Sequence, residues 1–104
     1  MRGDIYRFQS NDTRGHNQSG ARYAVTLQSD DLMLSTLLVA PTSTSARTTV
    51  FRPRIALNGQ TTLVLVEQAT VVNPQTELGD FAGRLTTDEL AELDQAIRLV
   101  MGLF

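Results

Sequence analysis

The pair Asn58-Gly59, set between residues 49–57 (TVFRPRIAL) and residues 61–72 (TTLVLVEQATVV), constrains this chain more than any other feature. Both flanks are rich in apolar and β-branched residues. A two-residue Asn-Gly connection readily takes the positive φ angles of a tight turn, whose twist matches that of paired antiparallel strands. The spacing therefore predicts a β-hairpin. The second arm is long for one strand, which predicts a bent strand or two in succession, as a barrel needs. Pro53 has no N–H to give to a ladder, so it places the first arm at a sheet edge or a bulge.

Upstream, residues 4–8 (DIYRF) and 21–28 (ARYAVTLQ) read as strands. Residues 35–40 (STLLVA) read as a buried strand ended by Pro41, with residues 42–47 (TSTSAR) as the loop beyond it. Residues 9–20 (QSNDTRGHNQSG) are polar and without period, hence a loop. A loop of that length in a compact domain is more often functional than idle. Near the other end, Thr86 with Glu89 forms a capping-box pattern and Leu85 with Leu90 a hydrophobic staple. Leu90, Leu93, Ile97, Val100 and Met101 then make one apolar face suited to packing on a barrel, and Gly102 stands where a helix stops. Some six short strands and a terminal helix predict a mainly β fold, a small barrel carrying one helix, in a single domain over residues 1–104.

The chain has no cysteine and one histidine, His16. Thiolate chemistry, Cys-based zinc sites and multi-histidine metal sites are thereby excluded, and no metal or cofactor is expected. Catalysis would fall to Arg, His, carboxylates and hydroxyls. No apolar run reaches the roughly 18 residues of a membrane span, and residues 1–20 lack the apolar stretch of a signal peptide, so a cytoplasmic protein with no membrane contact is expected.

Charge is unevenly placed along the chain. Residues 1–66 carry seven Arg against four Asp, whereas residues 67–104 carry two Arg against seven acidic residues. The first part is the expected nucleic-acid face. Every basic side chain is Arg and none is Lys. A guanidinium fork suits phosphate and stacks on bases, while a GC-rich genome would produce the same bias.

Five stretches in order resemble the MazF/PemK/Kid toxins: RGDIY (residues 2–6), RGHNQSGARYAVTLQSD (14–30), LLVAPTSTSAR (37–47), LVEQ (65–68) and GRLTTDELAELDQAIRLVMGL (83–103). The resemblance spans nearly the whole chain. It implies an SH3-like barrel of the CcdB/Kid/MazF type, and a homodimeric, ribosome-independent, sequence-specific endoribonuclease that needs no metal. It also implies a cognate antitoxin, MazE-like or other, as partner, and single-stranded RNA as substrate. Arg22 stands at the arginine of the family signature G-x-R-P-V-L-V, which is associated with cleavage. Ser43, flanked by Thr42 and Thr44, stands at the family's hydroxyl residue, and Gln68 at a glutamine read as structural. Asn17 replaces a common acidic residue and Tyr23 a proline, which leaves open the group that deprotonates the nucleophile and the sequence that is cut.

Metal-free cleavage would use the RNA 2′-hydroxyl as nucleophile, with a base, an acid and donors to the phosphorane. Arg22 is assigned to charge stabilisation, and Ser43 and Thr42 to hydrogen bonding a phosphate oxygen from a loop whose amides point the same way. His16 is the only side chain here whose unperturbed pKa suits a base near neutrality, though a lone loop histidine is usually just solvated. Asn17 and Gln18 beside it, with Arg14, Thr44, Arg47, Arg52 and Arg54, are expected along the RNA, and Tyr23 or Phe51 to stack on a base. Arg52 and Arg54 flank Pro53 and have a second reading, as guards of a sheet edge. Two rival functions stand beside the nuclease: a CcdB-like toxin that binds a protein target without catalysis, and an RNA-binding barrel that does not cleave.

Overall fold

A computed structural model describes residues 1–9 and 22–103. Among these residues seven strands form the body: β1 (Asp4–Phe8), β2 (Tyr23–Thr26), β3 (Leu37–Ser43), β4 (Arg54–Leu57), β5 (Gln60–Val64), β6 (Thr70–Val72) and β7 (Leu78–Arg84). A 3-10 turn (Val66–Gln68) separates β5 from β6, a one-turn helix α1 (Pro74–Glu77) precedes β7, and α2 (Thr87–Met101) follows it. The sheet order is β4-β5-β3-β2-β1-β7, with β6 also paired to β3. All of these pairings are antiparallel. β3 has β6 as its neighbour over residues 37–39 and β5 over residues 42–43, so the sheet curls into a half-barrel around it.

The hairpin forms as expected: Leu57 pairs with Gln60 across Asn58 and Gly59, whose φ angles are +52° and +75°. The long second arm resolves into two strands, β5 and β6, with the 3-10 turn as the bend. β4 is the edge strand anticipated from Pro53 and begins one residue after it.

Pro41, by contrast, does not end its strand. β3 runs on through Thr42 and Ser43, so these two residues are strand and not loop. The reason lies in the change of neighbour. The Pro41 carbonyl accepts from Leu65 N at 2.9 Å, so its missing N–H points to the same side, beyond the end of β6, where the Leu65 carbonyl accepts from Gln68 N at 2.9 Å instead. No ladder bond is lost there.

Ile5, Val25 and Ala40 are directly paired across β1, β2 and β3 and lie at 2% exposure or less. They form the floor of the main core, which α2 covers with Leu93 and Ala96 and, at its margin, Leu90 and Ile97. The capping box of Thr86 and Glu89 is present, and Gly102 adopts the left-handed conformation at the end of α2. The buried face of α2 is shorter than its apolar pattern: Val100 and Met101 are exposed because residues 98–101 project past the core. On the other face of the sheet, Ala24, Val39 and Val72 pack with Phe8, Leu37 and Leu78. Among the described residues no helix is long and apolar enough to cross a membrane.

Candidate active site

Strand register carries distant residues to one spot. β2 and β3 pair Ala24 with Pro41, so continuing outward brings Tyr23 beside Thr42 and Arg22 beside Ser43. β3 and β5 pair Ser43 with Leu63, which continues to Thr44 beside Thr62. At this end of the sheet lies a depression of about 100 Å³ lined by Arg22, Tyr23, residues 42–45, Leu57, Asn58, Gln60 and Thr62. Small-molecule pockets are typically roughly 300–1,000 Å³. A site this small grips one phosphate or one base edge and leaves the rest of a chain-like ligand on the surface.

Arg22 is half-buried, and its backbone carbonyl accepts from Phe8 N at 2.7 Å, which fixes the start of β2 against β1. Among the described residues no carboxylate or carbonyl engages its guanidinium. Among the described residues the fork is thus the charged group at the depression, and a phosphate is its natural counter-ion.

The hydroxyl residues divide by what already holds them. Thr42 Oγ1 donates to the Tyr23 carbonyl at 2.9 Å, so its hydrogen is spent on the backbone and not on a ligand. Ser43 Oγ accepts from the amides of Ser45 at 3.1 Å and Ala46 at 3.0 Å. Among the described residues no acceptor takes its own hydrogen, which suits it to a phosphate oxygen. This corrects the expectation of a loop offering its amides to the ligand: two of them point at Ser43, where they orient the hydroxyl. Thr44 is exposed at the rim.

The expected arginine groove is only partly assembled. Arg52 donates to Glu67 through Nε at 3.0 Å and Nη2 at 2.6 Å, and through Nη1 to the Arg47 carbonyl at 2.9 Å. It ties residues 47–52 to the 3-10 turn that ends at Gln68, and its fork is closed to phosphate. Its hydrogen bond holds the Glu67 carboxyl below the ordinary carboxylate range, against the upward push of partial burial, and raises the pKa of Arg52 itself. Its guanidinium also lies 5.8 Å from the Phe51 ring centre, so Phe51 has a cationic neighbour already. Arg54 is exposed on β4 and, with Arg52, borders a separate groove against Glu92, Gln95 and Leu99 of α2. Neither Phe51 nor Arg47, Arg52 or Arg54 lines the depression of Arg22. The edge-guarding reading fits β4, and Glu89 adds to it by accepting from Ala56 N at 2.8 Å. Arg14, His16, Asn17 and Gln18 lie outside the described residues.

Leu57, Asn58, Gln60 and Thr62 are members of the depression that sequence reasoning missed. The turn alone explains an asparagine at position 58, yet its Nδ2 also donates to Tyr23 Oη at 3.0 Å. Among the described residues no group of three or more acidic or histidine side chains is placed to hold a metal ion.

Residues 1–101 match the profile described as PemK-like, MazF-like toxin of type II toxin-antitoxin system. A candidate toxin of Mycobacterium tuberculosis is 38% identical over 104 residues, spanning 99% of this chain and 98% of its own. Among solved structures, the M. tuberculosis toxin MazF-mt6 superposes with a TM-score of 0.80 at 20% identity, over 97% of this chain and 98% of that one. A mycobacterial endoribonuclease in complex with its cognate antitoxin gives 0.76 at 20% identity, over 100% and 96% of the two chains. MazF of Deinococcus radiodurans gives 0.76 at 18%, over 98% and 96%. At those identities the solved structures establish the fold, and the family rests on the profile and on the more similar relative. The chain belongs to the PemK-like, MazF-like toxins of type II toxin–antitoxin systems.

Proposed function

We propose that this toxin is a sequence-specific, ribosome-independent endoribonuclease that cleaves single-stranded RNA without a metal, by attack of the 2′-hydroxyl on the neighbouring phosphorus. The observation that carries the reading is the meeting of Arg22 and Ser43 in one open depression, two donors whose side-chain hydrogens no acceptor among the described residues takes, at a site sized for a phosphate. In such a reaction the 2′-oxygen forms a bond to phosphorus, the 5′-oxygen leaves with a proton, and the products are a 2′,3′-cyclic phosphate and a 5′-hydroxyl. Charge grows on the non-bridging oxygens as the phosphorane forms, and the Arg22 fork and the Ser43 hydroxyl meet it with no reorganisation. His16 is the proposed base, on the ground that histidine is the side chain whose unperturbed pKa lies nearest neutrality.

The toxin is further proposed to act in the cytoplasm as a homodimer and to be neutralised by an antitoxin. Two apolar stretches support docking of protein on its surface: residues 32–34, where Met33 is 97% exposed, and the end of α2 with Leu99, Met101 and Leu103. Relatives of this fold from Mycobacterium and Deinococcus have been solved with an antitoxin and as a MazE-MazF pair.

The test is to incubate the purified protein with total RNA in EDTA and map new 5′ ends. Recurrent cuts at a short sequence, bearing 5′-hydroxyls, are expected. Intact RNA in EDTA with cleavage restored by magnesium would overturn the metal-free mechanism, and intact RNA under both conditions would favour a toxin that binds without cutting.

A further inference from the structure

Two residues at the tip and wall of the β4–β5 hairpin do more than turn the chain. Asn58 sits at a left-handed φ of +52° that glycine would satisfy as well, and Gly-Gly is itself a good tight turn. What the carboxamide adds is the bond from Nδ2 to Tyr23 Oη, which joins residues 35 apart in sequence across the depression. That bond uses neither the Tyr23 hydroxyl hydrogen nor the Asn58 Oδ1 lone pairs, and no other hydrogen bond among the described residues takes them. Gln60, exposed on the adjacent wall, has a carboxamide that no hydrogen bond among the described residues engages. Leu57 supplies an apolar floor.

The depression thus has two chemically distinct ends. Arg22 and Ser43 suit phosphate, and contacts of that kind position a nucleic acid without reading its sequence. Tyr23, Asn58 and Gln60 offer an aromatic ring and paired donors and acceptors, the groups with which proteins stack and read unpaired RNA bases. We propose that Asn58 and Gln60, with the Tyr23 that Asn58 holds in place, read the nucleobase next to the scissile phosphate and so set the cleavage sequence. This rests on the ribonuclease reading.

The test first finds the preferred sequence by cleaving a randomised RNA pool with the wild-type protein. Cleavage rates, and binding by fluorescence anisotropy, are then measured on four oligonucleotides differing at one position beside the cut. Asn58→Gly keeps the turn and removes the carboxamide, and Gln60→Ala removes the second one. The expected result is a loss of about 10-fold in the ratio between the preferred and the other bases at that position. Arg22→Ala should slow all four substrates in common and leave the ratio intact. If either hairpin variant lowers all four rates in step and keeps the wild-type ratio, it serves only structure and the inference fails. If the wild-type protein cuts no RNA, the ribonuclease reading fails by itself; the four oligonucleotides are then built on the sequence enriched by binding from the same pool, and the binding ratios decide the inference. Wild-type discrimination reduced in the variants supports it, and equal binding of the four RNAs overturns it.

Discussion

Arg22 and Arg52 are both arginines of the basic first part of the chain, and what surrounds each guanidinium separates them. Arg22 faces an open depression, whereas Arg52 is bonded to Glu67 and to the Arg47 carbonyl. Removing one preorganised donor to a developing oxyanion typically lowers the rate by about 10²- to 10³-fold. Arg22→Ala is therefore expected to lose that much kcat with only a modest change in RNA affinity, since the charge it meets exists mainly in the transition state. Arg22→Lys should recover part of the rate at most, because a point charge cannot make a two-pronged contact. Single-turnover kinetics on the mapped RNA would check both, and a wild-type rate in Arg22→Ala would remove this residue from the site. Arg52→Ala has a different expected signature: a lowered Tm with RNA affinity and its salt dependence unchanged. A flatter plot of log Kd against log salt would instead place Arg52 on phosphate.

At the scale of elements, Glu89 is the joint between helix and sheet. Its Oε1 accepts from Thr86 N and its Oε2 from Ala56 N, both at 2.8 Å, so one carboxylate closes the capping box and covers an open amide of edge strand β4. Losing a cap typically costs about 1 kcal/mol, and a hydrogen bond to a charged group about 1.5–3 kcal/mol. Glu89→Ala is expected to destabilise by about 2 kcal/mol in urea unfolding. Glu89→Gln, with one acceptor oxygen in place of two, should fall between the variant and the wild type. Equal stability of Glu89→Gln and wild type would mean that one of the two bonds carries no weight.

For the whole molecule, two acidic groups link stability to pH. Burial pushes the Asp4 carboxyl up, but the hydrogen bond from Arg84 at 2.7 Å and the Met1 ammonium outweigh it and leave its pKa lowered. Glu67 is lowered by Arg52. Both are more acidic folded than unfolded, so their contribution is complete above the ordinary carboxylate range and is lost as pH falls through the lowered values. The expected result is a Tm that declines below about pH 4, the range where ordinary carboxylates titrate. The decline should be shallower in Glu67→Gln, and identical acid limbs for the two proteins would refute the linkage. Assembly is tested at the same scale: sedimentation at micromolar concentration should give the mass of two chains of 11.4 kDa, and a single-chain mass would count against the dimer.

What the sequence determined by itself was everything settled within a few residues. Asn58-Gly59 fixed the hairpin, because the positive φ angles it requires are available to those residues at little cost. Thr86, Glu89 and Gly102 fixed both ends of α2, because caps are made by neighbours along the chain. Arg22 and Ser43 were legible as candidates from motif order, and their proximity follows from strand register. The tertiary structure decided what depends on partners far along the chain. β7, with Gly79, Asp80 and Gly83, has little intrinsic strand character and is extended because β1 offers it an edge. Pro41 stays inside a strand because its neighbour changes there. Arg52 finds Glu67, and Asn58 finds Tyr23, across 15 and 35 residues. Propensity and capping act over about one helical turn, so they cannot tell which carboxylate or hydroxyl the folded sheet will bring alongside.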